Sequence, residues 1–373
     1  VLSVLHVCTD FWPSTGGIQQ FVRELATRST AVGVKSTVLC FDRVKGIIGK
    51  LPATDILDGV VVHRVPFLDL KYYKPVIVPL PLLRAHDLVH VHGIGAPLDY
   101  IALTKGIHRR PIVVSTHGGI FHTSALAGLK QVYFRTVARW ALLRADFVAA
   151  DSANDALLFS KITRRVQLLE NAVDVAPLLA LPADDKRPGS FLYVGRLSEN
   201  KGIPILLNAA AAALKRGTSL SLRIVGPDVE GKRGEYETLA RSLDIADHVR
   251  FVGEVDKQAL LQEFALAETF VSASQFEGFG LSAVEAKAAG CRLLLHRNDA
   301  FESLFGTSAT AMLVNFQDPD AAGAAMIAIM QQPSVDAKQD SVRRETEAYS
   351  WERKLSEWAA VYHRVSSVDY QLR

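Results

Sequence analysis

No unbroken apolar stretch in these 373 residues approaches the ~20 needed to cross a bilayer as a helix, so a membrane-spanning protein is not expected. Cysteine is scarce. Cys8, Cys40 and Cys291 each sit in or beside an apolar run without metal-ligand spacing, which excludes a disulfide framework and a cysteine zinc site. They read as buried free thiols in a reducing compartment. Excess charge is also missing: the net charge of +3 is too small to argue for nucleic acid. The run Val1–Val7 is short, has no basic flank and is soon followed by Asp10, so a signal peptide is not expected and the cytoplasm is. There is no internal repeat and no disordered tract. With 49% hydrophobic and 22% charged residues the balance is that of a globular protein, long enough for two ordinary domains.

What the chain has is alternation. Strand-like runs (Val1–Cys8, Ser36–Phe41, Val60–Val65, Leu88–His92, Pro111–Thr116, Phe147–Ala150, Val166–Leu169) alternate with helical patterns at Gly17–Ala31, Leu126–Leu143 and Ala153–Phe159. The polar, turn-rich stretch 183–189 marks the expected junction. A second series runs from Ser190–Val194 through Ser219–Val225, Val249–Val252 and Thr269–Ala273 to Cys291–His296, with helices between. The expected fold is therefore α/β, with two Rossmann-like, doubly wound parallel-sheet domains at 1–182 and 189–349. The helix at 350–366 is expected to return to the first. Ligands of such sheets lie in a crevice at the strands' carboxyl ends.

The most informative segment is Ser274-Gln-Phe-Glu277-Gly278-Phe279-Gly280-Leu281-Ser-Ala-Val-Glu285. A strand that ends in a glycine turn and opens a helix aims backbone N–H groups at one point, a ready site for phosphate. Glu285, inside the new helix, is placed to accept hydrogen bonds from a ribose. Glu277, before the turn, is placed to hold hydroxyls of whatever the phosphate carries. Three readings stay open here: a sugar-nucleotide site, a dinucleotide site and a structural turn. Gly278-Phe-Gly280-Leu-Ser-Ala283 fits the dinucleotide fingerprint with Asp299 about 20 residues on. Ser282 and Glu285 have capping-box spacing.

Other loops should converge on the same edges. Gly16-Gly17 opens the first helix, and Gly195-Arg196 with Lys201-Gly202 follows the first strand of the second half, where two cations can pair with two phosphates. Gly226, Glu254 and Val255 lie in loops whose backbone could read a base. His117 follows a strand and precedes two glycines, so it is either a hydrogen-bonded structural histidine or a sugar contact. The pair His117 and His122 suggests metal, but no third ligand presents itself, and a metal site is not expected.

Together, Gly16-Gly17, His117, Gly195-Arg196, Lys201-Gly202 and Glu277 followed after seven residues by Glu285 resemble the retaining glycosyltransferases of family four, which have the GT-B fold. Val89-His-Val-His-Gly93, Asp99–Lys105, Val114–Thr123 and Glu170-Asn-Ala-Val-Asp174 carry a closer likeness to mannosyltransferases that extend a polyprenyl-diphosphate-linked cellobiose in exopolysaccharide assembly. The resemblance implies transfer of mannose from GDP-mannose with retained configuration and without bound metal or other cofactor. It implies that Arg196 and Lys201 clamp the diphosphate, joined by backbone at Gly16, Gly17, Phe279 and Gly280. Gly278 and Leu281 belong to the same donor loop. Glu285 would hold the ribose, Glu277 the transferred sugar, and His117 would lie near its 6-hydroxyl. His122 and Lys130 are acceptor-side candidates. Two positions depart from the family pattern just beyond the donor loop: Lys287, where methionine is common, and Cys291-Arg292, where a small or apolar residue and proline are usual.

A lipid-linked acceptor implies work at the inner face of the plasma membrane as a peripheral protein. Three segments mix basic and apolar residues as such docking requires: Arg43–Lys50 with Lys45, Lys71–Lys74, and helix 126–143 with Lys130, Arg135 and Arg139 beside Val132, Phe134 and Trp140.

Overall fold

The structure, a computed structural model, describes residues 1–14, 16–44, 48–117, 127–182, 185–333, 335 and 340–367. It divides into two compact units, one formed by Val1–Asn171 together with the helical residues from Glu352, the other by Ala172–Trp351.

The first unit is built on an eight-stranded sheet. Its strands are β1 (Leu2–Val7), β2 (Val34–Phe41), β3 (Thr54–Leu57), β4 (Val60–Val65), β5 (Leu88–His92), β6 (Ile112–Ser115), β7 (Phe147–Ala150) and β8 (Val166–Leu168). The order is β3-β4-β2-β1-β5-β6-β7-β8, parallel throughout except for the β3–β4 hairpin. Alternation along each strand feeds two cores. Leu39 and Phe41 join Leu5, Val89 and Val91 on one face, while Val38 and Cys40 join Val22 and Val62 on the other. The helix Trp351–Ser366 is tied in by Tyr362, whose hydroxyl lies 2.8 Å from His90 Nδ1 on β5.

The second unit carries β9 (Arg187–Val194), β10 (Ser221–Val225), β11 (Val249–Gly253), β12 (Ala267–Ser272), β13 (Arg292–His296) and β14 (Ala311–Val314). All pair in parallel in the order β11-β10-β9-β12-β13-β14. Phe191, Tyr193, Leu222, Ile224 and Leu294 point into one core, and Leu192, Val225, Leu293 and Leu295 into the other. Gly323 lets the helix Pro319–Met330 settle on Ile203–Lys215: a Cβ there would stand 2.9 Å from the Ala213 nitrogen.

Two features differ from the sequence expectation. The division falls after Asn171, not in the polar turn at 183–189, because Val175 and Leu178 of the short helix Val175–Leu179 are buried in the second unit's core beside Phe264 and Ala286. The sheet of that unit also continues past β13 to β14, a short half-buried strand whose pattern is too weak to stand out. The residues that depart from the family pattern turn into the second unit's interior. Lys287 is buried and bonds Ser308 Oγ at 2.7 Å and the Glu345 carboxylate. Arg292 pairs with Glu268 at 3.0 Å and donates to the carbonyl of Pro333 at 3.1 Å. All three cysteines are buried and free.

Candidate active site

In the second unit the strand order reverses between β9 and β12, the point at which doubly wound sheets bind ligands. The two loops that leave these strands are stitched together there. Gln275 donates its N–H to the Asn200 carbonyl at 3.1 Å, and from the loop after β13 Asn298 Nδ2 holds the Ser274 carbonyl at 2.9 Å. Lys201 and Glu277 face each other across the join, Nζ to Oε1 at 2.7 Å. Arg196 is exposed, makes no ion pair among the described residues, and its carbonyl accepts from the buried Tyr193 hydroxyl at 3.1 Å. Two glycines make the close approach possible. A Cβ at Gly202 (φ +67°) would stand 2.4 Å from the Ala273 carbonyl oxygen, and one at Gly226 (φ +139°) 2.1 Å from that of Gly195.

Gly280 (φ +94°) is the N-cap of the helix Leu281–Ala288, and no side chain caps it. Ser282 therefore lies inside the helix, and the capping-box reading of Ser282 and Glu285 is wrong. The first-turn N–H groups lack side-chain partners and, with the helix dipole, favour an anion. Glu285 lies in the second turn, where burial pushes its carboxyl up to about 7 against the opposing pull of Lys257. Gly226 donates its N–H to the Gly253 carbonyl at 2.8 Å where β10 and β11 end, with exposed Glu254 and half-buried Val255 following. Arg196, Lys201, Gly226, Glu254, Val255, Gly278, Phe279, Gly280, Leu281 and Glu285 thus follow the carboxyl ends of adjacent strands. What the arrangement offers is cationic side chains, free helix N–H groups and two carboxylates around one rim, the complement of a sugar diphosphate.

In the first unit the helix Gly17–Arg28 starts at Gly16, beside the β1/β5 reversal. His117 follows β6 with a left-handed backbone (φ +46°), and its side chain is only 5% exposed. Nδ1 lies 2.9 Å from Asp151 Oδ2, and Nε2 lies 3.1 Å from His92 Nδ1. Phe21, one turn into the glycine-opened helix, meets the His117 ring edge-on at 5.4 Å. Both ring nitrogens are engaged inside the unit, as in a hydrogen-bonded structural histidine. Lys130 is half-buried in the helix Ala127–Tyr133, and His122 lies outside the described residues.

Sequence reasoning missed His6, His90, His92 and Asp151. The available signal was His90-Val-His92 on a strand, which puts both imidazoles on one face. Among the described residues, His6, His90 and His92 form the one group of three whose ligand atoms are close enough to share a metal ion. Their nitrogens are instead hydrogen-bonded. His6 bonds His92 and Ser36, and His90 bonds Tyr362 and Ser115.

Residues 15–176 match the family described as Glycosyltransferase Family 4, and residues 182–348 that described as Glycosyl transferases group 1. The chain is 32% identical over 369 residues to the GDP-mannose:cellobiosyl-diphosphopolyprenol alpha-mannosyltransferase of Xanthomonas oryzae pv. oryzae, with 97% of each chain covered. It belongs to the family-four glycosyltransferases. A protein of the same name from Komagataeibacter xylinus is 30% identical, over 98% of this chain and 93% of the relative. The fold of this glycosyltransferase, GT-B, is shared with Anabaena Alr3699/HepE in complex with UDP-glucose (TM-score 0.76, 16% identity, 97% of this chain and all of that one). It is shared too with a sucrose-phosphate synthase from Thermosynechococcus elongatus (TM-score 0.75, 19% identity, 98% and 99% covered). Family membership removes the dinucleotide reading. The geometry agrees, since β12 ends at Ser272 and five residues separate it from Gly278, too many for a tight dinucleotide turn.

Proposed function

We propose that this glycosyltransferase moves mannose from GDP-mannose to a polyprenyl-diphosphate-linked oligosaccharide, cellobiose in the first instance, with retained configuration. What carries the reading is the near full-length similarity to relatives of that name, joined to the cation-and-helix rim of the second unit. Arg196 and Lys201 take the diphosphate and stabilise it as it departs, the N–H groups at Phe279 and Gly280 add donors, and Glu285 holds the ribose. Glu277, released from Lys201, is left to bind hydroxyls of the transferred sugar. His117 acts near that sugar through its backbone or ring carbons, its nitrogens being engaged. Fixed cations supply the positive charge here, so the reaction runs without a metal ion.

The acceptor brings the enzyme to the inner face of the plasma membrane. Among the described residues no helix is long and apolar enough to cross a bilayer. The continuous helical run 127–144 exposes Leu129, Val132, Val137, Trp140 and Leu143 beside exposed Arg135 and Arg139. Phe134 is buried and anchors the helix instead. Arg43 is partly used up: it lies 4.2 Å over the Phe67 ring and 3.4 Å from Asp42, while Lys45 lies outside the described residues. The helix is therefore the docking face we favour.

Labelled transfer to synthetic polyprenyl-diphosphate cellobiose, with GDP-mannose and UDP-glucose side by side in EDTA, tests the reading. Mannose incorporation in α linkage is expected. Incorporation from UDP-glucose alone would overturn the donor, and loss of transfer in EDTA would overturn metal independence.

A further inference from the structure

The hydrogen bonds around His117 form a single file. Ser36 Oγ lies 3.1 Å from His6 Nε2, His6 Nδ1 3.1 Å from His92 Nε2, His92 Nδ1 3.1 Å from His117 Nε2, and His117 Nδ1 2.9 Å from Asp151 Oδ2. The file crosses three neighbouring strands, β2, β1 and β5, and ends on the loops after β6 and β7.

Only one arrangement of protons satisfies every neutral ring in it. A carboxylate can only accept, so His117 must donate from Nδ1 and keep a lone pair on Nε2. His92 must then donate from Nδ1 to that lone pair, which leaves its Nε2 to accept from His6 Nδ1. The last lone pair, on His6 Nε2, takes the Ser36 hydroxyl proton. Every N–H points toward Asp151. Burial, with like charge on neighbouring histidines, lowers His92 well below the ordinary range and brings His6 down to about 3, so both rings stay neutral.

We propose that His92 and His6 are positioning residues for the transfer reaction: the file holds the His117 ring in one orientation, Nδ1–H toward Asp151 and Nε2 toward His92, on the loop proposed to meet the transferred sugar. The inference rests on the function proposed above. Because its far end is a buried hydroxyl, a poor proton source, the file orients and does not conduct. A ring held against the Asp151 carboxylate brings that negative charge to the loop proposed to meet the sugar, where positive charge develops as the bond to phosphate breaks. The file ends on a residue whose backbone is left-handed, φ +46° at His117.

The test uses the full chain with 15N-labelled histidine. Long-range proton–nitrogen spectra of the wild type at neutral pH are expected to show His6, His92 and His117 as neutral Nδ1–H tautomers. In His92→Phe, which keeps ring volume and removes the donor, kcat should fall about ten- to a hundredfold with KM for the sugar nucleotide within about twofold. His92→Asn, whose amide can donate from the Nδ1 position, should recover most of the loss. An Nε2–H tautomer at His92, unchanged kcat in a folded His92→Phe, or a stoichiometric metal in protein purified without chelator would each overturn the proposal. Should His92→Phe fail to fold, the wild-type spectrum alone decides. A wild type that shows the expected tautomers but transfers no sugar would sink the functional reading and leave the file intact.

Discussion

Glu277 and Lys201 neutralise each other across the join of two loops, 2.7 Å apart, with side chains only 14% and 16% exposed. The lysine proposed for the diphosphate is thus already paired. A diphosphate that takes Lys201 must separate the pair, and the freed carboxylate becomes available to sugar hydroxyls. Lys201→Ala and Glu277→Gln should each lower kcat about a hundredfold, corresponding to ~3 kcal/mol at the transition state. The double variant should be far less than additive, because the two residues act as one unit. Steady-state kinetics over the cycle check this, and full additivity would separate their roles.

Arg196 gives a contrasting case. It is exposed and makes no ion pair among the described residues, so the folded state gains little from its charge. Arg196→Ala should keep the thermal midpoint within about 1 °C, as surface changes usually do. Its rate should still drop about a hundredfold if the guanidinium meets the departing diphosphate. Activity within a few-fold of wild type would remove it from the clamp.

The alternation of strands and helices was legible because parallel strands buried on both faces read as apolar runs, and β4, β5 and β7 fall on the residues expected. The strand ends at which the donor rim is proposed were legible for a related reason, since glycines and charges interrupt the apolar runs there. The edge hairpin of β3 was not, since Thr54-Asp-Ile-Leu57 is short and mostly exposed. The histidine file was hidden because it depends on register. That His6 lies opposite His90, with His92 two residues on, is fixed only when β1 pairs with β5. The junction was misplaced for a similar reason, as the burial of Val175 and Leu178 is decided by packing and not by the polar turn that follows them.

Glu285 links pH to both stability and binding. Its carboxyl is raised from 4.5 to about 7 by burial, so the folded state favours the protonated form. That preference is fully present below about 4.5 and is lost as pH rises through 7, at a cost on the order of 3 kcal/mol above it. Glu285→Gln should therefore raise the thermal midpoint at pH 8 and change it little at pH 4. The same substitution removes the anionic acceptor proposed for ribose, and donor affinity at pH 8 should fall about tenfold or more. Calorimetry at the two pH values, with nucleotide titration, measures both effects. A midpoint at pH 8 that is unchanged or lower would contradict the assignment.

Gly226→Ala should act through sterics alone. The new Cβ would fall 2.1 Å from the Gly195 carbonyl oxygen, at a backbone φ of +139° that side chains rarely adopt. Gly195 and Gly226 hold the first loop of the donor rim against its neighbour, so backbone must move. A loss of about 2–3 kcal/mol in the unfolding of this unit is expected, together with weaker donor binding. A fully stable variant would mean that the rim is looser than its geometry indicates.

The helical run 127–144 gives the last expectation. Its exposed apolar residues, Leu129, Val132, Val137, Trp140 and Leu143, carry enough area for shallow insertion, and Arg135 and Arg139 lie among them to meet anionic headgroups. The wild type should float with anionic vesicles and less so as salt is raised, since each surface cation contributes roughly 1 kcal/mol that is screened within a Debye length. Arg135→Glu with Arg139→Glu should abolish flotation, and Trp140→Ser should weaken it without removing its salt sensitivity. Arg43→Glu should leave it nearly unchanged, because that guanidinium is already held by Asp42 and Phe67. If Arg43→Glu released the protein and the helix variants did not, the docking face would lie at the β2–β4 end of the sheet and not on this helix.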